Sequence, residues 1–221
     1  MKDPISVANF LQEPTRFQEA FSVIASLQHV VENNDWHLHQ SVFDHTMAVF
    51  GAVDQVLTFN APDVRSFADQ QVRVQRHFER HIGGAYTCRD LLRLVALFHD
   101  IGKEDTIVKA ADGTTRCPDH AAVSAYRFDG LGCQFDLVHA ERQYVHEIIA
   151  RHHCADSIFE ATDSRDRTMK EFLVRNSDYT VDLLIFYVAD FEGCDASSEV
   201  RQLKREHYSL VLDKIKRNLT T

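Results

Sequence analysis

Apolar residues recur along this chain at close to the helical period. Between residues 14 and 32 they fall at Phe17, Phe21, Ile24, Ala25, Leu27 and Val31, which predicts an amphipathic helix. Ser41 is placed to cap a second helix carrying Val42, His45, Val49, Val53, Val56 and Leu57 on roughly one face, broken by Asn60-Ala61-Pro62-Asp63. The stretch 63–82 is polar with a thin stripe of Val64, Phe67, Val74 and Phe78, and Gly83-Gly84 is expected to end it. Residues 88–99 are strongly apolar. Two short runs around Ala110-Ala111-Asp112-Gly113 predict a small β-hairpin at 106–117, the one strand signal in the chain. Pro118 is expected in the first turn of a helix running through Phe128. Further helices are expected over 135–152, 168–176 and 200–219, and 179–191, apolar nearly all round, reads as a core helix. The expectation is one all-α domain of 221 residues. Its core spans 38–192, with N-terminal helices at 5–33 and a C-terminal helix at 195–219 packed on it.

Composition narrows the partners. A net charge of −9 opposes long-range attraction to bulk nucleic acid or an anionic membrane. No apolar run approaches the roughly 20 residues of a membrane span, and Met1-Lys2-Asp3-Pro4 is followed by no signal-peptide core. The five cysteines are scattered, odd in number and contain no C-x-x-C pair, so a cytoplasmic location is expected. The 13 histidines are the outlier, and their placement carries the chemistry.

His99-Asp100 ends the apolar run Leu91-Leu92-Arg93-Leu94-Val95-Ala96-Leu97-Phe98. Burying two ionisable side chains there is costly unless something pairs with them, and imidazole with carboxylate suits a divalent metal. Other ligand types stand at comparable places. His45 is in phase with Val42 and Val49, and Asp190 ends an apolar helix, where a carboxylate opposes the helix dipole unless a cation lies near. His120 follows Pro118-Asp119, and His152-His153 closes the Ile148-Ile149-Ala150-Arg151 run.

Taken in order, His45, His99-Asp100, His120, His152-His153 and Asp190 resemble the ligand series of the HD-domain metal-dependent phosphohydrolase superfamily, an all-helical family. Ser41-Val42-Phe43-Asp44-His45-Thr46 is similar to its first motif, Leu97-Phe98-His99-Asp100-Ile101-Gly102-Lys103 to its signature and Val188-Ala189-Asp190 to its last. The stretch from the signature to Asp119-His120-Ala121-Ala122-Val123-Ser124-Ala125 is similar to the HD module of bacterial CCA-adding tRNA nucleotidyltransferases, whose nucleotidyltransferase head has no room here. His120 and His152-His153 resemble the binuclear branch. No Gly-Tyr-Pro follows His153, and Ser41 stands where some cyclic-dinucleotide enzymes carry an acidic ligand. The resemblance therefore does not extend to cyclic di-GMP hydrolysis or to a trinuclear site.

The resemblance implies a hydrolase using two divalent metal ions, of iron, manganese, cobalt, nickel or zinc, with magnesium also compatible. His45, His99, Asp100 and Asp190 would hold one ion, and Asp100 would bridge to a second on His120 and His152. His153 would ligate, orient the shell or bind phosphate. Lys103 would act beside Asp100 as a catalytic or phosphate-binding charge, with Arg116 and Arg151 as further phosphate contacts, unless these three are simply solvated. The implied substrate is a nucleotide or another small phosphorylated molecule, cleaved as a mono- or diester by a monomer or homodimer. Two rivals share the fold: a mixed-valent di-iron oxygenase and a non-catalytic nucleotide-binding module. The 63–82 stretch, with Arg65, Arg73, Arg76, His77, Arg80 and His81, is either a lid or a solvated helix face.

Overall fold

The structure, a computed structural model, describes residues 3–60, 71–156 and 165–202. It is predominantly helical with two small two-stranded sheets, the all-α architecture expected. Ten α-helices lie among the described residues: α1 (Val7–Gln12), α2 (Gln18–Ala25), α3 (Val42–Leu57), α4 (Gln71–Phe78), α5 (Cys88–Phe98), α6 (Lys103–Thr106), α7 (His120–Gly132), α8 (His139–Arg151), α9 (Arg165–Arg175) and α10 (Thr180–Glu192). A first antiparallel hairpin, of β1 (Val31–Asn33) and β2 (Leu38–Ser41), was not anticipated. The hairpin that was predicted is present as β3 (Val108–Lys109) paired antiparallel with β4 (Thr115–Arg116).

Helix α5 forms the centre. Thr87 and Asp90 make a reciprocal capping box at its start, satisfying two amides left open by the helix. Its residues Leu91, Leu92, Leu94, Val95, Ala96, Leu97 and Phe98 are all fully buried. It packs on α3 and α8, while α10 packs on α3 and α7 on α8. Phe98 touches Phe10, Phe128 and Phe135 at ring-centroid distances of 5.9, 5.5 and 6.0 Å, so α1 closes the core. Burying each such ring stabilises the fold by about 2–3 kcal/mol. Helix α10 is buried without a break from Thr180 to Ala189, as its nearly all-round apolar pattern predicts, with Asp182 the one carboxylate in that stretch.

Several boundaries differ from expectation, each for a local reason. The 14–32 helix is shorter, because Phe17 leaves helical geometry (φ −101°, ψ 68°) before α2 and the chain turns into β1 after a 3₁₀ turn at Ser26–His29. Helix α4 ends at Phe78, ahead of the glycine pair. Pro118 lies outside α7, since Asp119 adopts a left-handed conformation (φ 55°) and the helix begins at His120. Helix α8 starts at His139 because Asp136 is engaged elsewhere, accepting hydrogen bonds from Tyr86 Oη at 2.6 Å and Val7 N at 3.0 Å. Residues 61–70 and the 203–219 part of the expected C-terminal helix lie outside the described residues. Among the described residues, no helix is long and apolar enough to cross a membrane.

Candidate metal centre

The ligand-type residues singled out from the sequence sit where helices end. His45 lies in the second turn of α3, whose N-terminus is capped by Ser41 Oγ accepting from Asp44 N. His99 caps the C-terminus of α5 and Asp100 follows it. His120 opens α7, and His152 and His153 form a 3₁₀ turn that continues α8. Asp190 lies in the last turn of α10. The C-terminal ends of α5, α8 and α10 thus meet, and their partial negative charges favour a cation between them.

Gly102 and Gly193 allow the close approaches. A Cβ on Gly102 would lie 2.6 Å from both His120 O and Ser124 N, so only glycine lets the turn after Asp100 sit on the start of α7. The same contact is fastened by Gly102 N donating to Ser124 Oγ at 2.9 Å. A Cβ on Gly193 would lie 2.4 Å from Val49 Cγ2 and 2.9 Å from Val49 N, so the end of α10 reaches α3 by the same means.

The imidazoles are aimed by their own backbones. His99, His120 and His152 each place Nδ1 against the carbonyl oxygen three residues earlier, at 2.9 Å (Ala96), 2.6 Å (Cys117) and 2.7 Å (Ile149). Donation of Nδ1–H to a carbonyl leaves Nε2 as the free donor atom, the arrangement metal-bound histidines use. Donor atoms of His45, His99 and Asp190 all lie within 4.8 Å of one another, as do those of His120, His152 and His153.

Asp100 stands between the two sets. Its Oδ2 lies 3.2 Å from His99 Nε2 and 3.4 Å from His45 Nε2, while its Oδ1 lies 3.2 Å from His120 Nε2 and 3.8 Å from His152 Nε2. Asp190 Oδ1 completes the first set at 3.0 Å from His45 Nε2. Neither Asp100 oxygen has a partner in hydrogen-bond alignment, and the buried His152 Nε2 and His45 Nδ1 have none either. Buried polar atoms are nearly always satisfied, so a convergent group of unsatisfied donor atoms fits a bound cation.

No family model and no curated protein matches this chain.

The electrostatics of the centre agree with its geometry. Burial disfavours a charged Asp100, but His99 and Lys103 outweigh it and hold the carboxyl well below the usual range. Burial likewise opposes charge on Asp190, and hydrogen bonds from His45 and His99 keep it ionised. Burial and the neighbouring histidines keep His152 neutral, ready to ligate. Burial opposes charge on His99 too, yet Asp100 and Asp190 push it up to about 10. Without an ion, a proton on His99 supplies the positive charge that the two carboxylates call for. These buried His and Asp groups could hold metal, and their nitrogen–oxygen donor set suits divalent ions.

The remaining predicted contacts divide. His153 sits at the rim, its side chain 44% exposed, with Nδ1 on Asp156 and Nε2 2.8 Å from His120 Nε2. Lys103 is not a solvated lysine: it is buried, 2.6 Å from Glu32 Oε2 and 2.9 Å from Asp100 Oδ2. Arg116 is exposed on β4. Arg151 pairs with Glu147, donates to Arg175 O and lies over the Tyr179 ring, none of which belongs to the converging His and Asp set. Glu32, His37 and Asp156 were not singled out from the sequence. Only the Lys103 position, one turn beyond Asp100, hints that a buried counter-charge is needed.

Proposed function

We propose that this chain is a metal-dependent hydrolase of the HD-domain type, cleaving phosphate esters of a nucleotide or another small phosphorylated molecule. One observation supports the reading most: a single buried carboxylate, Asp100, offers one oxygen to each of two imidazole sets. That is the disposition expected of a bridging ligand. His45, His99, Asp190 and Asp100 would hold one cation, and Asp100, His120 and His152 a second. When bound, such ions acidify a water and neutralise charge on phosphoryl oxygens.

The protein's own groups do the rest. The carbonyls of Ala96, Cys117 and Ile149 hold three rings in a single orientation. Phe186 backs His99 and His152 with its ring, at centroid distances of 5.4 and 6.1 Å, and excludes water from behind the ligands. His153, at the rim with Nδ1 on Asp156, would meet the substrate phosphate or carry a proton to the leaving group. A chain of net charge −9 suits a small phosphorylated substrate better than a polyanionic polymer.

The test is metal analysis of the purified protein, followed by a phosphomonoesterase and phosphodiesterase screen with manganese, iron, cobalt, nickel, zinc and magnesium. The expected result is about two ions per chain and metal-dependent phosphate release. Absence of bound metal under all of these conditions overturns the reading. Oxygen consumption by the iron-loaded protein without phosphate release would replace it with the oxygenase.

A further inference from the structure

Behind the ligands lies a second buried layer that the ligand set does not account for. Glu32, on β1, is 4% exposed, and its carboxylate is shared by three neighbours. Oε2 lies 2.6 Å from Lys103 Nζ and 3.5 Å from His37 Nε2, while Oε1 accepts from Cys117 Sγ at 3.7 Å. His37 in turn packs edge-on against His45, at a centroid distance of 4.7 Å. The same hairpin clamps the end of α10 through Gln40, which donates to Gly193 O at 2.8 Å and accepts from Asp195 N at 3.0 Å. It is fastened to the second hairpin by Asn33 N donating to Thr115 Oγ1 at 2.7 Å. The β1–β2 hairpin therefore touches the supports of Asp100, His45 and Asp190 together.

Charge makes Glu32 the decisive member. Lys103 Nζ lies 2.9 Å from Asp100 Oδ2, the oxygen that faces His45 and His99. A buried ammonium so close to a ligand oxygen competes with any cation for that oxygen, because interactions between buried charges are poorly screened. Glu32 stands closer to the ammonium than Asp100 does. It draws the lysine back and cancels its charge.

We propose that Glu32 is a positioning residue that neutralises Lys103 and so keeps Asp100 available to metal. The proposal rests on the metal-centre reading above and adds to it a charge relay, Glu32–Lys103–Asp100, anchored on a hairpin. Lys103 then acts as a hinge of charge between Glu32 and the centre, holding the carboxylate of Asp100 in place without occupying it.

The experiment measures the dissociation constant of Mn²⁺ by calorimetry on the full chain, with thermal melts as a folding control. Four proteins are compared: wild type, Glu32→Gln, Lys103→Met and the double variant. Loss of supporting groups around metal ligands weakens binding by about 10–100-fold, and Glu32→Gln is expected in that range. Adding Lys103→Met to it restores affinity to within about threefold of the single Lys103→Met variant, since the competing ammonium is gone. A merely structural role, or direct ligation by Glu32, gives no such rescue, and either result overturns the proposal. Wild-type affinity in Glu32→Gln overturns it as well while leaving the metal centre intact, whereas no Mn²⁺ binding by wild type removes both. If Glu32→Gln does not fold, Glu32→Asp, which retracts the charge by one methylene, decides in its place. It too should weaken binding and be rescued by Lys103→Met, and a failure of either overturns the proposal.

Discussion

Asp182 and Asp190 lie about two turns apart on α10, and the protein treats them in opposite ways. Each oxygen of the buried Asp182 has its own neighbour: Tyr144 Oη donates to Oδ1 at 2.6 Å, and His77 Nε2 meets Oδ2 at 3.0 Å. The environment is closed, and its effect is to pin α4 and α8 to α10. Asp190 instead faces His45 and His99, beside an Asp100 whose oxygens meet imidazole nitrogens out of hydrogen-bond alignment. Three of the rings there have Nδ1 on a backbone carbonyl, which turns each Nε2 toward the carboxylates, and the proton that His99 carries on Nε2 is the one an incoming cation would replace. Two buried carboxylate clusters on one helix thus separate by a simple criterion. Where each carboxylate oxygen has an aligned donor, the cluster is closed on itself; where buried donor atoms converge without one, the cluster could hold a cation.

The sharpest challenge to that contrast is a pair of alanine substitutions. Asp100→Ala should bring bound metal to background and slow phosphate release by about a thousandfold, the scale of losing a group that stabilises developing charge. Helical content by circular dichroism should be kept. Asp182→Ala should do the reverse, retaining metal while costing about 3 kcal/mol of unfolding free energy, because it strands the buried Tyr144 hydroxyl and the half-buried His77. Metal loss in Asp182→Ala with unchanged denaturant midpoint would erase the distinction.

Gly102→Ala sharpens it by dividing the two imidazole sets. The added methyl must displace His120 O or Ser124 N, so elemental analysis should find about one ion per chain, with the His45–His99–Asp190 set retained. A smaller effect comes from His99. Burial opposes its charge, but Asp100 and Asp190 raise it to about 10 from an ordinary 6.5, so metal must displace a proton at neutral pH. Affinity for Mn²⁺ should rise up to about tenfold per pH unit between about pH 7 and 9, with about one proton released per chain in calorimetry across buffers of different ionisation enthalpy. The sign for the metal-free fold is opposite. The stabilisation by charged His99 is complete below its unfolded value and is lost as pH rises through about 10, so the metal-free Tm should fall over that interval. Smallest of all, Arg151→Ala should cost about 1 kcal/mol or less and leave KM unchanged, since its partners all lie outside the centre.

The helices and the His and Asp residues that converge were legible because each depends on local pattern. Ser41 and the in-phase His45, the apolar run ending at His99-Asp100, and the largely apolar α10 all announce themselves within a few residues. The β3–β4 hairpin was legible from its Asp112-Gly113 turn. The β1–β2 hairpin was not. Its strands are three and four residues long, its register slips between Glu32 and Asn33, and His39 takes a left-handed conformation. Glu32 looked like the polar end of an amphipathic helix, and its real partner, Lys103, is 71 positions away. Lys103 looked free for substrate for the same reason: a tertiary ion pair leaves no periodic trace.

The carbonyl anchors on His99, His120 and His152 have a kinetic consequence. Ring orientation is settled by hydrogen bonds to carbonyls three residues earlier in the chain, without any ion. Uptake of metal, as proposed, would then require no rearrangement of the backbone, only proton release and passage by the exposed rim at His153. Reconstitution of metal-free protein should proceed at a rate linear in ion concentration, with no slow folding phase, and hydrogen-exchange protection of α5 and α8 should be the same before and after loading.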